Sequence, residues 1–281
     1  MTSLNIAKTL SSVTPIVLTI AGSDSGGGAG IQADIKAISA TGGYACSVIT
    51  ALTAQNTQGV SGIYPISSEF VEQQLDAVFS DLNIVAVKIG MLSDVDIINS
   101  VAKKIRQYSP QSIVVDPVMV TRNGDLLLQA SAIESLKSQL FPLADVITPN
   151  LPEAAALLNV AIPQNEAQMM TIVDQLRLLG AKSVLLKGGF LKEDINSTDL
   201  LILSDDVQRL STPRIKTRNT HGTGCSLSSA IASYLAQGHQ LTDAVRLAKH
   251  YITQALNYAD VMTIGQGHGP VNHFFSLNRE N

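Results

Sequence analysis

Tryptophan is missing from this chain, and the whole aromatic share is only 4% of 281 residues. A core without large rings must come from Leu, Ile, Val and Ala, and at 45% hydrophobic residues there is enough material for a sizeable one. Cysteine is almost as scarce. Cys46 and Cys225 alone cannot make a disulfide framework, which fits a reducing, cytoplasmic compartment. Charged residues reach 15% and net to −4, so no basic field exists to draw nucleic acid or anionic lipid. No run of about twenty apolar residues occurs, so no segment reads as a membrane span. The stretch Ile16–Ala21 is too short for a signal sequence. Linkers rich in Pro, Gly or Ser, repeats and charge blocks are also missing. The expectation is a single domain over 14–281 behind a loose leader at 1–13.

What is present has one rhythm. "PIVLTIAG", "ACSVITALT", "IVAVKIG", "SIVVDP", "DVITPN" and "KSVLLKGG" are short apolar runs that read as strands. Between them lie helical patterns: Ile31, Ile35 and Ile38 within 29–40, Phe70, Leu75 and Val78 within 67–81, "DVDIINSVAKKI", and stretches near 131–140, 152–158 and 166–179. "TDLLILS" and "VQRLST" read as a hairpin, and two long helices close the chain. Apolar strands alternating with amphipathic helices imply an α/β fold with a mostly parallel sheet covered on both faces. In such sheets ligands gather at the carboxyl ends of the strands.

Two glycine loops lie at such ends. In "NTHGTGC", Gly222 and Gly224 allow a tight turn and close approach to a ligand, and the helix beyond it carries Leu227, Ile231 and Tyr234 or Leu235 on one face with Gly238 as its stop. A helix start of this kind offers free amides and partial positive charge to an anion, phosphate above all, although a tight turn without a ligand has the same composition. "AGSDSGGGAGIQAD" contains no Walker motif, and no acidic residue closes the next strand as a dinucleotide site requires.

Single residues have competing readings. Asp116, after "SIVV", can cap a turn or serve a metal or phosphate. Asn150 and Glu153 have capping-box spacing, to which a Mg²⁺ role could be added. Lys187, ending "SVLLK", can meet a phosphate or simply be solvated. Cys46 reads as core packing, and His221, next to the loop, can contact a ligand but reads better as an exposed histidine. The other histidines lack metal-ligand spacing.

Taken in order, "VLTIAGSDSGGGAGIQADIKA", "SVITALTAQNTQGV", "VKIGML", "DPVM", "VITPNLPEAAALL", "LLKGG" and "NTHGTGC" resemble the bacterial hydroxymethylpyrimidine/phosphomethylpyrimidine kinases of thiamine biosynthesis, within the ribokinase-like superfamily. The likeness runs from Pro15 to about Gly269. It implies a ribokinase-like three-layer α/β/α sandwich, ATP and Mg²⁺ as cofactors, and no nucleic-acid or membrane partner. It also implies two phosphorylations, first of the hydroxymethylpyrimidine and then of its monophosphate, by a homodimer in the cytoplasm. By motif, Gly22, Asp34, Gln55 and Val118 fall at the pyrimidine, Asp34 also being read as a first-turn helix acid. Asn150, Thr220, Gly222 and Lys187 fall at the nucleotide, and Asp116 and Glu153 near Mg²⁺. Gly222, Gly224 and Cys225 fall at the transferring phosphoryl.

One position departs from the superfamily pattern. Cys225 stands where an aspartate base is usual. At a helix start beside glycine amides its thiol is expected to fall below the free value of about 8.5 and act as general base. The rival readings are a pyridoxal or dual-specificity kinase, a cysteine hydrolase using Cys225 with His221, and a phosphate-binding sensor without turnover.

Overall fold

A computed structural model describes residues 14–119, 128–191 and 194–278. The expected leader at 1–13 lies outside the described residues.

The apolar runs form a sheet of nine strands: β1 (Ile16–Asp24), β2 (Tyr44–Asn56), β3 (Gly59–Pro65), β4 (Ile84–Ile89), β5 (Ser112–Val115), β6 (Val146–Ile147), β7 (Val184–Lys187), β8 (Asn196–Ile202) and β9 (Val207–Pro213). Their spatial order is β3-β2-β1-β4-β5-β6-β7-β8-β9. From β2 to β7 every pairing is parallel, and β3, β8 and β9 add antiparallel edges. β8 and β9 are the hairpin expected from the sequence.

Adjacent strand residues point to opposite faces, so one buried strand feeds two cores. Leu18, Ile20, Val87 and Ile89 pack on one face, covered by α2 (Ser68–Asp81), α3 (Val95–Tyr108), α5 (Leu151–Leu158), α6 (Glu166–Thr171) and α7 (Val173–Arg177). Val17, Ala86, Val114 and Val146 pack on the other, under α1 (Gly30–Ala40), α8 (Thr223–Ala236) and α9 (Leu241–Asn257). The result is the expected three-layer α/β/α sandwich.

Local chemistry explains the helix starts. Ser67 and Asp94 accept the amides of Phe70 and Ile97, and Asn150 and Glu153 complete the capping box at α5. Gly238 has φ +89°, outside the helical region, and ends α8.

Five details differ from the sequence expectations. The edge strand β3 shows no periodicity in sequence because all seven of its residues are exposed. In α2 the buried positions are Val71 and Leu75, while Phe70 faces solvent. The pattern near 131–140 breaks into α4 (Ala130–Ser135), a wide turn at Leu136–Leu140 and a 3-10 turn at Phe141–Leu143 where Pro142 removes an amide. The stretch 166–179 divides between α6 and α7. Finally, α8 has no solvent side through its middle. Ser226 through Ser233 are all buried, because this helix lies between the sheet and both α1 and α9.

Candidate active site

The two glycine loops converge. Gly222 caps α8 with φ +78°, and a Cβ placed on it would lie 1.8 Å from the carbonyl oxygen of Gly28. Gly30 opens α1 at φ +54°, and its Cβ would meet the Gly22 carbonyl oxygen at 2.3 Å. Glycine is therefore required at both places, by close backbone approach as well as by left-handed φ. Gly22 itself is buried within β1, and a Cβ there would touch the Met91 methyl at 2.6 Å. Thr220 holds the turn through its carbonyl oxygen, which accepts from the Thr223 amide and hydroxyl.

On the far side of the α8 start stands a buried ion pair. Lys187 Nζ donates to Asp116 Oδ1 at 2.7 Å, and Thr148 Oγ1 donates to the same oxygen. Asp116 Oδ2 accepts from Ser228 at 3.5 Å. A Cβ on Gly224 would lie 3.3 Å from Lys187 Nζ and 3.5 Å from Asp116 Oδ2, so the helix start and the ion pair share one wall. Burial by itself would raise the Asp116 carboxyl, but the Lys187 and Lys88 charges outweigh it and hold it below the ordinary range. Glu153, buried at the start of α5, is pushed up to about 7 by burial; Lys187 opposes that rise and Asp116 adds to it.

Cys225 sits in the first turn of α8, and here the sequence expectation is corrected. Its thiol is pushed up to about 11, not down. Burial is the main cause, and the Asp34 and Asp116 carboxylates add to it. The Lys88 charge and the Gly30 amide oppose the rise without cancelling it. A helix start favours a thiolate only where nearby carboxylates do not face it.

Asp34 is also corrected. α1 begins at Gly30, so Asp34 is not in its first turn. Its carboxylate is fully buried and accepts from Lys88 Nζ at 2.9 and 2.8 Å, Thr19 Oγ1 at 2.6 Å and Ser229 Oγ at 2.8 Å. Four hydrogen bonds from three donors fill its lone-pair sites, which leaves none for a ligand amine. Asp34 is thus the counter-ion of a buried lysine. Nothing in "VAVKIG" itself marks the partner of Lys88, although a lysine inside a strand buried on both faces needs one.

His221 is half-buried, not exposed. Its Nε2 lies 3.0 Å from Asp24 Oδ2 and 3.3 Å from Gln55 Nε2. Asp24, which the sequence did not single out, accepts from the amides of Gly26, Gly28 and Ala29 and so shapes the first glycine loop. Val118 is half-buried two residues beyond Asp116. Cys46 packs against the core, as expected.

The loop contacts give a direct test. Gly222→Ala is expected to destabilise by about 2 kcal/mol or more, because a left-handed backbone and a contact with Gly28 must both give way. Gly224→Ala meets the Lys187 ammonium slightly inside ordinary contact and Asp116 Oδ2 at an ordinary contact distance, with no backbone in the way, so its thermal midpoint should stay near wild type while the KM for the nucleotide rises. Equal melting curves for the two variants would contradict this picture.

Comparisons with known proteins agree with the geometry. A profile of the family described as "Phosphomethylpyrimidine kinase" matches residues 24–272. The chain is 52% identical over 262 residues to a hydroxymethylpyrimidine/phosphomethylpyrimidine kinase of Rhizobium meliloti, covering 93% of this chain and 98% of that protein. It is 49% identical over 257 residues to the protein of that description from Escherichia coli, covering 92% and 96%. Among solved structures, an ADP complex of Bacillus subtilis pyridoxal kinase superposes with a TM-score of 0.88 at 34% identity, covering 95% of this chain and 100% of that one. A phosphomethylpyrimidine kinase from Clostridium difficile gives 0.75 at 44% identity, covering 86% and 99%.

Proposed function

Because the chain belongs to the phosphomethylpyrimidine kinase family, we propose that it phosphorylates 4-amino-5-hydroxymethyl-2-methylpyrimidine with ATP and then phosphorylates the resulting monophosphate, in thiamine biosynthesis. One observation carries the reading. The start of α8 lies against the Lys187–Asp116 pair on one side and the loop after β1 on the other. A nucleotide tail and an acceptor can therefore meet over the same amides.

In the first step the Cys225 thiol releases its proton to solvent, the acceptor hydroxyl oxygen bonds to the γ-phosphorus, the bond from that phosphorus to the ADP oxygen breaks, and the hydroxyl proton passes to the Cys225 thiolate. The amides of Gly222, Gly224 and Cys225 stabilise the charge on the transferring oxygens. Lys187 adds a fixed positive charge beside them, held in place by Asp116. Asn150 keeps α5 and Glu153 in position, and Thr220 shapes the turn that carries the amides. On the acceptor side, Gln55 supplies an amide for a pyrimidine edge, Val118 an apolar contact, and Gly22 the room for the loop.

Mg²⁺ belongs to this reading. Among the described residues, no group of three His, Cys, Asp or Glu converges as a cage. Asp116 and Glu153, the carboxylates that interact with Lys187, would be the ion's nearest side-chain partners, with the remaining positions left to phosphate oxygens and water. When bound, Mg²⁺ neutralises phosphate charge. A homodimer in the cytoplasm completes the proposal. Its support is the exposed edge strand β3 with Val60, Ile63 and Tyr64 uncovered, together with the fact that no helix among the described residues is long and apolar enough to cross a membrane. A monomeric mass by sedimentation would remove the dimer.

The likeness to pyridoxal kinases favours a second reading, phosphorylation of pyridoxal. Coupled ADP release with the pyrimidine alcohol, its monophosphate and pyridoxal supplied separately decides between them. Turnover of both pyrimidines above pyridoxal is expected. Failure with the monophosphate would end the two-step proposal.

A further inference from the structure

His221 stands where three segments meet. Its ring occupies the space over Gly28, whose added Cβ would lie 2.3 Å from Cδ2. Its backbone is clamped from the other side, with the amide donating to Gly269 O at 3.0 Å and the carbonyl accepting from the Val271 amide at 3.3 Å. The next residue, Gly222, caps α8. Any movement of His221 therefore reaches both glycine loops.

The ring contacts conflict. A protonated Nε2 donates to the Asp24 carboxylate, which can only accept, and then meets the Gln55 NH₂ as a second donor. An unprotonated Nε2 accepts from Gln55 and instead faces the Asp24 lone pairs. Turning the Gln55 amide over relieves the clash. Thr53 Oγ1, 3.1 Å away and already donating to Ser23 O, can accept from the turned NH₂. Even so, one imidazole proton is then shared between two acceptors. Gln55 is half-exposed near the end of β2, whereas Asp24 is buried and anchored by three amides. The Gln55 contact is the one a ligand can take over.

We infer that His221 is a positioning residue that couples the acceptor site to the phosphoryl site. An acceptor with a paired donor–acceptor edge, such as an aminopyrimidine, engages the Gln55 amide and leaves the shared His221 proton wholly to Asp24. The His221–Asp24 bond then ties the turn Gly222–Cys225 to the first glycine loop, so acceptor and nucleotide bind synergistically. This rests on the reaction proposed above.

The test is calorimetric titration of the full chain with a non-hydrolysable ATP analogue and Mg²⁺, with and without saturating hydroxymethylpyrimidine. The expected wild-type coupling is about fivefold or more, the usual lower bound for linked sites. The same factor should appear when the ligands are titrated in the reverse order. In His221→Ala the factor falls to within about twofold of unity, and His221→Gln, whose amide can still donate to Asp24, recovers part of it. Retention of the wild-type factor in His221→Ala overturns the inference, and so does a wild type that turns over the pyrimidine without any coupling. A wild type that does not turn over the pyrimidine overturns the proposed reaction and the inference with it. Melting curves of both variants confirm that folded protein is compared, and the Gln variant carries the test where the Ala variant does not fold.

Discussion

Cys225→Ala is expected to lower kcat by about 10²–10⁴-fold while leaving nucleotide binding intact, the usual loss when a positioned general base is removed. The resting thiol stands at about 11, so only a small thiolate fraction exists near neutrality. The wild-type kcat should therefore climb with pH between 6 and 9. Cys225→Asp restores the residue usual in the superfamily and should flatten that climb, because a carboxylate is already ionised across the range. A Cys225→Ala rate within threefold of wild type would remove the base assignment. The amides of Gly222, Gly224 and Cys225 would then carry the step by charge stabilisation alone, as phosphoryl transfer permits.

Lys88→Met should cost about 3–5 kcal/mol of stability, the range for breaking a buried pair by removing one partner. Lys88 and Asp34 are both fully buried, 2.8 Å apart, with Thr19 and Ser229 also donating to the carboxylate. Deleting the ammonium leaves an uncompensated charge beneath the first turns of α8. Burial alone would lower the Lys88 ammonium, but the Asp34 charge outweighs it, so the lysine stands above its ordinary range. A lysine raised in this way contributes fully below about 10.5 and loses that contribution only as pH rises through its folded value. The loss measured by urea unfolding should therefore not vary with pH from 6 to 9. The double variant Lys88→Met with Asp34→Asn should recover much of it, since no net charge then stays buried. A single-variant cost below about 1 kcal/mol would mean that the pair contributes little.

Several residues that the resemblance groups also meet in the fold, and simple rules located the strand ends that carry them. Asp116, Asn150, Lys187 and the turn Gly222–Cys225 all lie at the carboxyl edge of the parallel strands, where the placement rule for such sheets puts ligands. The capping box of Asn150 and Glu153 was legible because both partners lie within one helical turn. Asp24 and His221 are 197 positions apart, and Lys88 and Asp34 are 54 apart. No periodicity or spacing links such residues, so neither pair could be read as a pair. The strand β3 escaped for another reason. An exposed edge that mixes Gly, Ser and apolar residues has no face to mark.

Taken alone, the sequence determined the layer order, the parallel core and the two glycine turns, because hydrophobic pattern and glycine placement act over a few neighbouring residues. Only the tertiary structure decided the proton affinity of Cys225, the burial of Asp34 against Lys88 and the shared contact of His221. Electrostatic energy depends on distance through space and on exclusion of water, and folding sets both by bringing together residues that are far apart in the chain.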